Sequence, residues 1–208
     1  MQEDIRKLLE EWQKRNIQGF YAADKEEALE EILKIVPVSV SVGISGSLSL
    51  DALGVVAKLE ARGNKVFNQY QPGISRQDSL ELRRVGAGAE YYLASANAVS
   101  QNGELVFFSG LGNRTSGISY AKNVILVCGI NKLAADLGQA LKRAREYATP
   151  LNCKRLNWQT PCLKDGVCRE SLCFSPEYKR MCCQVLVIEA ETAPGRLKVI
   201  LVGESLGF

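Results

Sequence analysis

The chain has 208 residues, 46% of them hydrophobic and 24% charged, which suits one globular domain with a substantial core. Its 26 basic and 23 acidic residues leave a net charge of +3, too balanced for the concentrated basic stripe of a nucleic-acid surface. Histidine is absent, which excludes Ser-His and Cys-His nucleophile pairs and imidazole metal sites.

The first residues, Met1 to Lys7, lack the basic and apolar regions of a signal peptide, and no apolar run reaches the length of a membrane span. A cytoplasmic protein is therefore expected. Ile5, Leu8, Leu9 and Trp12 fall on one face of a helix. A second helix starts after Asp24, with Glu27 placed for a capping box, and Pro37 closes it. These N-terminal helices span about 1–36.

Residues 38–42 alternate Val and Ser as a strand does, then run into Gly43-Ile44-Ser45-Gly46-Ser47 and a predicted helix over 48–62. Gly63 suits the left-handed position after that helix, and Lys65-Val66-Phe67 resumes an extended run. This strand–loop–helix–strand order is the building block of a parallel sheet. A further helix capped by Ser75 leads to a strand at Tyr91–Ala94. Asn102-Gly103 between two apolar runs signals a hairpin. A buried strand over 123–128, a helix over 133–148, and strands at 184–188 and 197–202 complete the reading. The predicted fold is a single three-layer, Rossmann-like α/β domain over 1–208, with a mostly parallel sheet and one hairpin.

Ligands of open α/β sheets bind beyond the carboxyl ends of the strands. Glycines and polar residues collect at those ends: Gly43, Ser45, Gly46 and Ser47 after one strand, Ser95 and Asn97 after another, Gly110, Asn113 and Arg114 after the hairpin, and Asn131 and Lys132 after the buried strand. Glycine lets a backbone approach a ligand, Asn orients carbonyls or hydroxyls, and Arg and Lys hold carboxylates or phosphates. Each alone fits an ordinary turn or solvated charge. Their convergence predicts a cleft for an anionic small molecule.

The runs Ser95-Ala96-Asn97-Ala98-Val99, Asn102-Gly103-Glu104-Leu105, Gly110-Leu111-Gly112-Asn113-Arg114 and Gly129-Ile130-Asn131-Lys132 resemble the LUD-domain family, named for lactate utilisation proteins. Ala148-Thr149-Pro150, Thr160-Pro161-Cys162 and Val202-Gly203-Glu204-Ser205-Leu206-Gly207 agree with it. The resemblance implies the fold of ribose-phosphate isomerases, glucosamine-phosphate deaminases and CoA transferases, and relatives encoded with iron–sulfur subunits that oxidise lactate. Two positions depart from those patterns. Ser109 stands where family members commonly carry Asp, which removes a carboxylate acid or base. Gln101 stands where class I CoA transferases carry a nucleophilic glutamate, and an amide cannot form the acyl-enzyme anhydride.

The segment over about 150–183 is aperiodic and rich in cysteine. Cys162, Cys168, Cys173 and Cys182 are spaced C-x5-C-x4-C-x8-C, with Ser171 at a place where the resembling family shows a closer cysteine pair. Four thiolates in one segment can converge on zinc or an iron–sulfur cluster, although the tight spacing typical of either is missing. Unligated thiols or a disulfide are the alternatives. Cys128, in an apolar strand, reads as a core residue. Trp12 reads as packing, and Trp158 as a loop anchor or cleft wall.

Two functional classes follow. One is an enzyme, or an enzyme subunit, acting on a hydroxy acid, an acyl-CoA or a sugar phosphate in lactate-type organic-acid utilisation. The other is a non-catalytic ligand-binding or assembly module beside an iron–sulfur protein subunit. A homo-oligomer is left open, and neither nucleic acid nor membrane is an expected partner.

Overall fold

The structure is a computed structural model that describes residues 2–169, 173–174, 176–177 and 179–208. Met1 and Ser171 lie outside the described residues. Six strands form a parallel sheet: β1 (Gln18–Ala22), β2 (Ser41–Ile44), β3 (Lys65–Phe67), β4 (Tyr91–Ala94), β7 (Val124–Gly129) and β10 (Leu197–Val202). Their spatial order is β1-β10-β7-β4-β2-β3. The central strands β7 and β10 carry nearly unbroken apolar runs because both faces of a parallel sheet are covered. Leu126, Cys128, Val199 and Leu201 face one core, and Ile125, Val127, Ile200 and Val202 face the other.

Helices cover both faces. On one side α1 (Gln2–Lys14) inserts Ile5, Leu8 and Trp12, and α6 (Asn113–Tyr120) inserts Ile118. Trp12 is completely buried, and its indole N–H donates to the Gly103 carbonyl at 3.0 Å. On the same side α5 (Arg76–Ala87) crosses so closely that a Cβ on Gly43 would stand 1.9 Å from the Gly86 carbonyl oxygen. On the other side lie α2 (Lys25–Ile35), α3 (Leu48–Leu53) and α4 (Val55–Ala61). Asp24 caps α2 by accepting from Glu27 N, while Glu27 Oε2 accepts from Ala23 N rather than from the cap residue itself.

A second, four-stranded sheet has the order β8-β5-β6-β9, formed by β5 (Ala98–Ser100), β6 (Leu105–Ser109), β8 (Leu133–Ala134) and β9 (Gln184–Ile188). One face, with Val99, Leu105 and Phe107, joins the core beneath α1. The other face, with Ala98, Val106 and Phe108, packs on Ala140 and Ala144 around α7 (Leu137–Arg143).

Several expectations needed correction. The strand Gln18–Ala22 breaks the N-terminal helical region; its burial alternates poorly because it is an edge strand. The helix expected over 48–62 is two helices, since Gly54 adopts a left-handed φ of 62° and interrupts the turn. The strand expected over 38–42 begins at Ser41. Asn113–Tyr120 is a helix that went unread, its mixed polar composition giving little periodicity. The predicted hairpin forms, but inside the second sheet rather than the parallel one.

The helix expected over 133–148 starts at Leu137 behind an Asp136 cap, then continues beyond that range. A π turn at Ala144–Ala148 leads into α8 (Thr149–Arg155), with Pro150 in its first turn. Pro is tolerated there because the early N–H groups of a helix have no regular partner. A short helix α9 (Cys162–Asp165) follows.

Candidate functional site

The chain enters the parallel sheet at one edge, moves to β2 and then β3 at the other, and returns through β4, β7 and β10. The direction of winding therefore reverses between β2 and β4. At such a reversal the loops after two neighbouring strands leave in opposite directions and open a crevice at their carboxyl ends. A cleft of about 280 Å³ lies there. Its walls come from the loop after β2, the loop after β4, the end of β6 with the turn into α6, the residues after β7, α8, and the C-terminal segment.

Most of the expected ligand-binding residues line it: Gly46, Ser47, Ser95, Asn97, Gly110, Asn113, Arg114 and Lys132. Three others lie elsewhere. Gly43 lies under α5 as a packing glycine. Ser45 is buried behind the loop, its backbone N–H bonded to the Leu93 carbonyl. Asn131 holds the C-terminal segment, donating to the Gly207 carbonyl at 3.1 Å and accepting from Leu206 N at 3.0 Å. Its role is to position Gly207 and Phe208, which do line the cleft.

Arg114 ties three of these walls together. Its guanidinium donates to the Gly46 carbonyl at 2.8 Å, to Asn97 Oδ1 at 3.0 Å and to the Phe108 carbonyl at 3.3 Å. Asn97 Oδ1 also accepts from Phe108 N, which fixes its orientation. Burial holds the Arg114 guanidinium below its usual range, without bringing an arginine near neutrality. Among the described residues no carboxylate pairs with it.

Lys132 lies at the floor of the cleft and is only 4% exposed. Its ammonium donates to Ser95 Oγ at 2.7 Å and to Ser49 Oγ at 2.9 Å. The Ser49 hydroxyl donates onward to the Leu206 carbonyl. Burial pushes the Lys132 amine down to about 8, and the positive charges of Arg114 and Arg143 push the same way. The Cys128 thiol pulls the other way, and by more than either arginine contributes.

Arg83 and Arg155 also border the cleft, and among the described residues no Asp or Glu side chain lines it. Ser109, at the position discussed above, accepts from Gly112 N and so shapes the turn into α6. Gln101 and Glu104 are at the hairpin, outside the cleft lining; Glu104 pairs with Arg15.

Sequence reasoning missed Ser49, Tyr70, Arg83, Thr149, Asn152 and Arg155, all at the cleft. Ser49 carried a readable signal, a second hydroxyl in the helical turn that follows a strand end. The others come from α8, α5 and the loop before it, which only tertiary packing brings to the cleft. Trp158 both lines the cleft and anchors its loop, its indole donating to the Lys179 carbonyl.

The cysteine-bearing segment lies beside this cleft, and Cys173 neighbours Cys162, Cys168 and Cys182. Cys162 and Cys182 are buried, Cys168 and Cys173 are partly exposed, and Cys182 touches the cleft. Cys153 is the near neighbour of Cys162 and Cys182. Among the described residues no three of Cys, Asp or Glu are placed to hold a metal ion. Among the described residues no helix is long and apolar enough to cross a membrane.

Comparison with known proteins agrees with this architecture. No curated protein sequence matches the chain. A DUF162 family protein from Deinococcus radiodurans shares the fold, with a TM-score of 0.56 at 10% identity, over 97% of this chain and 98% of that one. Ribose 5-phosphate isomerase A from Methanocaldococcus jannaschii aligns over 55% of this chain and 56% of its own, at 17% identity and a TM-score of 0.37. The ribose 5-phosphate isomerase of Plasmodium falciparum aligns over 53% and 52%, at 14% identity and a TM-score of 0.35. The pattern of the LUD domain matches residues 5–202, nearly the whole chain. The chain belongs to the LUD domain family.

Proposed function

We propose that this protein binds an anionic small molecule in the cleft between β2 and β4 and acts on it as an enzyme or enzyme subunit of organic-acid utilisation. One observation carries the reading: Arg83, Arg114, Arg155 and Lys132 line a single cleft that, among the described residues, has no Asp or Glu side chain. Such an excess of positive charge in a partly enclosed space favours an anion, because opposite charge strengthens as water is excluded. Membership of a family named for lactate utilisation favours a carboxylate over other anions.

Trp158 in the cleft wall provides the readout, since the other tryptophan, Trp12, is completely buried in the core. Titration with pyruvate, lactate and a sugar phosphate should change Trp158 fluorescence saturably for at least one of them. The response should weaken with added salt and be lost in Arg114→Met. A wild-type protein indifferent to all of these anions would refute the reading.

A further inference from the structure

Lys132 has a position that anion binding alone does not require. An amine that serves as a simple counter-charge gains from exposure, where hydration offsets its charge, or from a carboxylate partner. Lys132 has neither: it is buried, and among the described residues no carboxylate pairs with it. Its partners are two hydroxyls. A hydroxyl can accept a hydrogen bond from an ammonium or donate one to a neutral amine. The Ser95 hydroxyl, which donates to the Ala96 carbonyl or to Ser49 Oγ at 3.3 Å in the structure, is free to turn toward the amine instead. The pocket thus accommodates Lys132 in both protonation states.

Resting on the anion-binding reading, we infer that Lys132 is a nucleophile that condenses with the carbonyl carbon of an anionic oxo compound, forming an imine while Arg114 holds the anionic group. Three features of the site support this. Among the described residues Lys132 is the one lysine that lines the cleft. Arg114 lines the same cleft, with its guanidinium fixed by three acceptors. The burial that lowers the amine to about 8 makes a neutral lone pair available near neutral pH, as a buried catalytic lysine needs.

The step balances without a co-reactant. The neutral Nζ lone pair attacks the carbonyl carbon and forms a C–N bond, while the C–O π pair moves to oxygen. That oxygen gains a proton from the nitrogen, relayed by the Ser95 hydroxyl, to give a carbinolamine. Departure of the hydroxyl with a second proton releases water and leaves the C=N bond. No oxidant or metal is consumed, and the chain's lack of histidine is no obstacle.

Two chemical sources share the required pairing of a carbonyl with an anion: a 2-oxo acid and a phosphorylated ketone. The test is reductive trapping. Wild-type protein is incubated with pyruvate or with dihydroxyacetone phosphate, treated with borohydride, digested, and analysed by peptide mass spectrometry. Trp158 fluorescence is followed on the same samples before reduction. The expected result is a reduced adduct concentrated on Lys132, with exposed Lys25 and Lys34 at background, and no adduct at that position in Lys132→Arg. Labelling by pyruvate assigns the 2-oxo acid class, and labelling by dihydroxyacetone phosphate alone assigns the phosphorylated ketone. Saturable binding of either probe without an adduct on Lys132 would overturn the imine and leave the anion site standing. Absence of binding by every anion tested would remove both.

Discussion

Lys132 Nζ donates a 2.7 Å hydrogen bond to Ser95 Oγ, joining residues that follow the neighbouring strands β7 and β4 and lie 37 positions apart in the chain. This pairing places a buried amine at the floor of the cleft, where its charge weighs against the stability of the fold.

Replacing Lys132 with Met should therefore stabilise the protein near pH 7. Met fills a similar volume without a charge, and Ser49 and Ser95 keep acceptors in the Leu206 and Ala96 carbonyls. The fall of the amine to about 8 corresponds to an order of about 3 kcal/mol of unfavourable charge burial at neutral pH. After repacking losses a gain of roughly 1–3 kcal/mol is expected, measured by urea unfolding. The pH dependence carries the sign. Below about 8 the amine is charged in both states and the wild type bears the full penalty. Between about 8 and the ordinary lysine range the unfolded chain holds more protons, so wild-type stability rises with pH relative to Lys132→Met. A gap that stays constant through that window would show that Lys132 is not buried as a charge. Anion binding should weaken in the variant despite its stability.

Arg114→Met should have the opposite balance. It removes the bonds to the Gly46 and Phe108 carbonyls and to Asn97 Oδ1, leaving part-buried acceptors without their donor. A loss of about 2–4 kcal/mol is expected from chemical unfolding. Hydrogen exchange at Gly46 and Ser47 should quicken more than exchange in β7. Unchanged protection in that loop would mean that Arg114 does not hold it.

The C-terminal segment gives a third prediction, since it is held by the region just after β7. A Cβ on Gly129 would come within 2.5 Å of the Glu204 carbonyl oxygen and of Leu206 N, both backbone atoms that cannot yield independently. Gly129→Ala should cost about 1–3 kcal/mol. Asn131→Ala, which deletes two hydrogen bonds to the same segment, should expose Leu206 to faster hydrogen exchange and weaken anion binding without touching the ligand directly. Binding equal to wild type in Asn131→Ala would separate the C-terminal segment from the site.

Thiol reactivity should follow burial. Cys183 is exposed, whereas Cys128 and Cys153 are buried and burial pushes both thiols up. Since the thiolate is the reactive form, a maleimide time course read by peptide mass spectrometry should label Cys183 first and Cys128 and Cys153 last. Rapid labelling of Cys153 would show that α8 and α9 open readily in solution.

The sequence by itself determined the local features whose causes are local. Asp24 and Ser75 cap their helices as their spacing requires. Asn102-Gly103 turns the hairpin, and the unbroken apolar run of β7 announced a strand buried on both faces. The polar strand-end residues were also legible as a group, because loops at the carboxyl ends of parallel strands must leave on the same side. Only tertiary structure decided which of them share one space. Asn131 and Lys132 are adjacent in sequence, yet the tight turn after β7 sends Lys132 to the cleft floor and Asn131 to the C-terminal segment. Nothing in the local sequence marks Arg83 or Arg155, and they reach the cleft only because α5 and α8 pack beside it. Four of the cysteines share one segment without the tight spacing of a metal motif, and sequence distance says little about the direction of side chains where no regular period holds. Proximity across the chain comes from the reversal of winding between β2 and β4, a property of strand order that no local pattern of residues encodes.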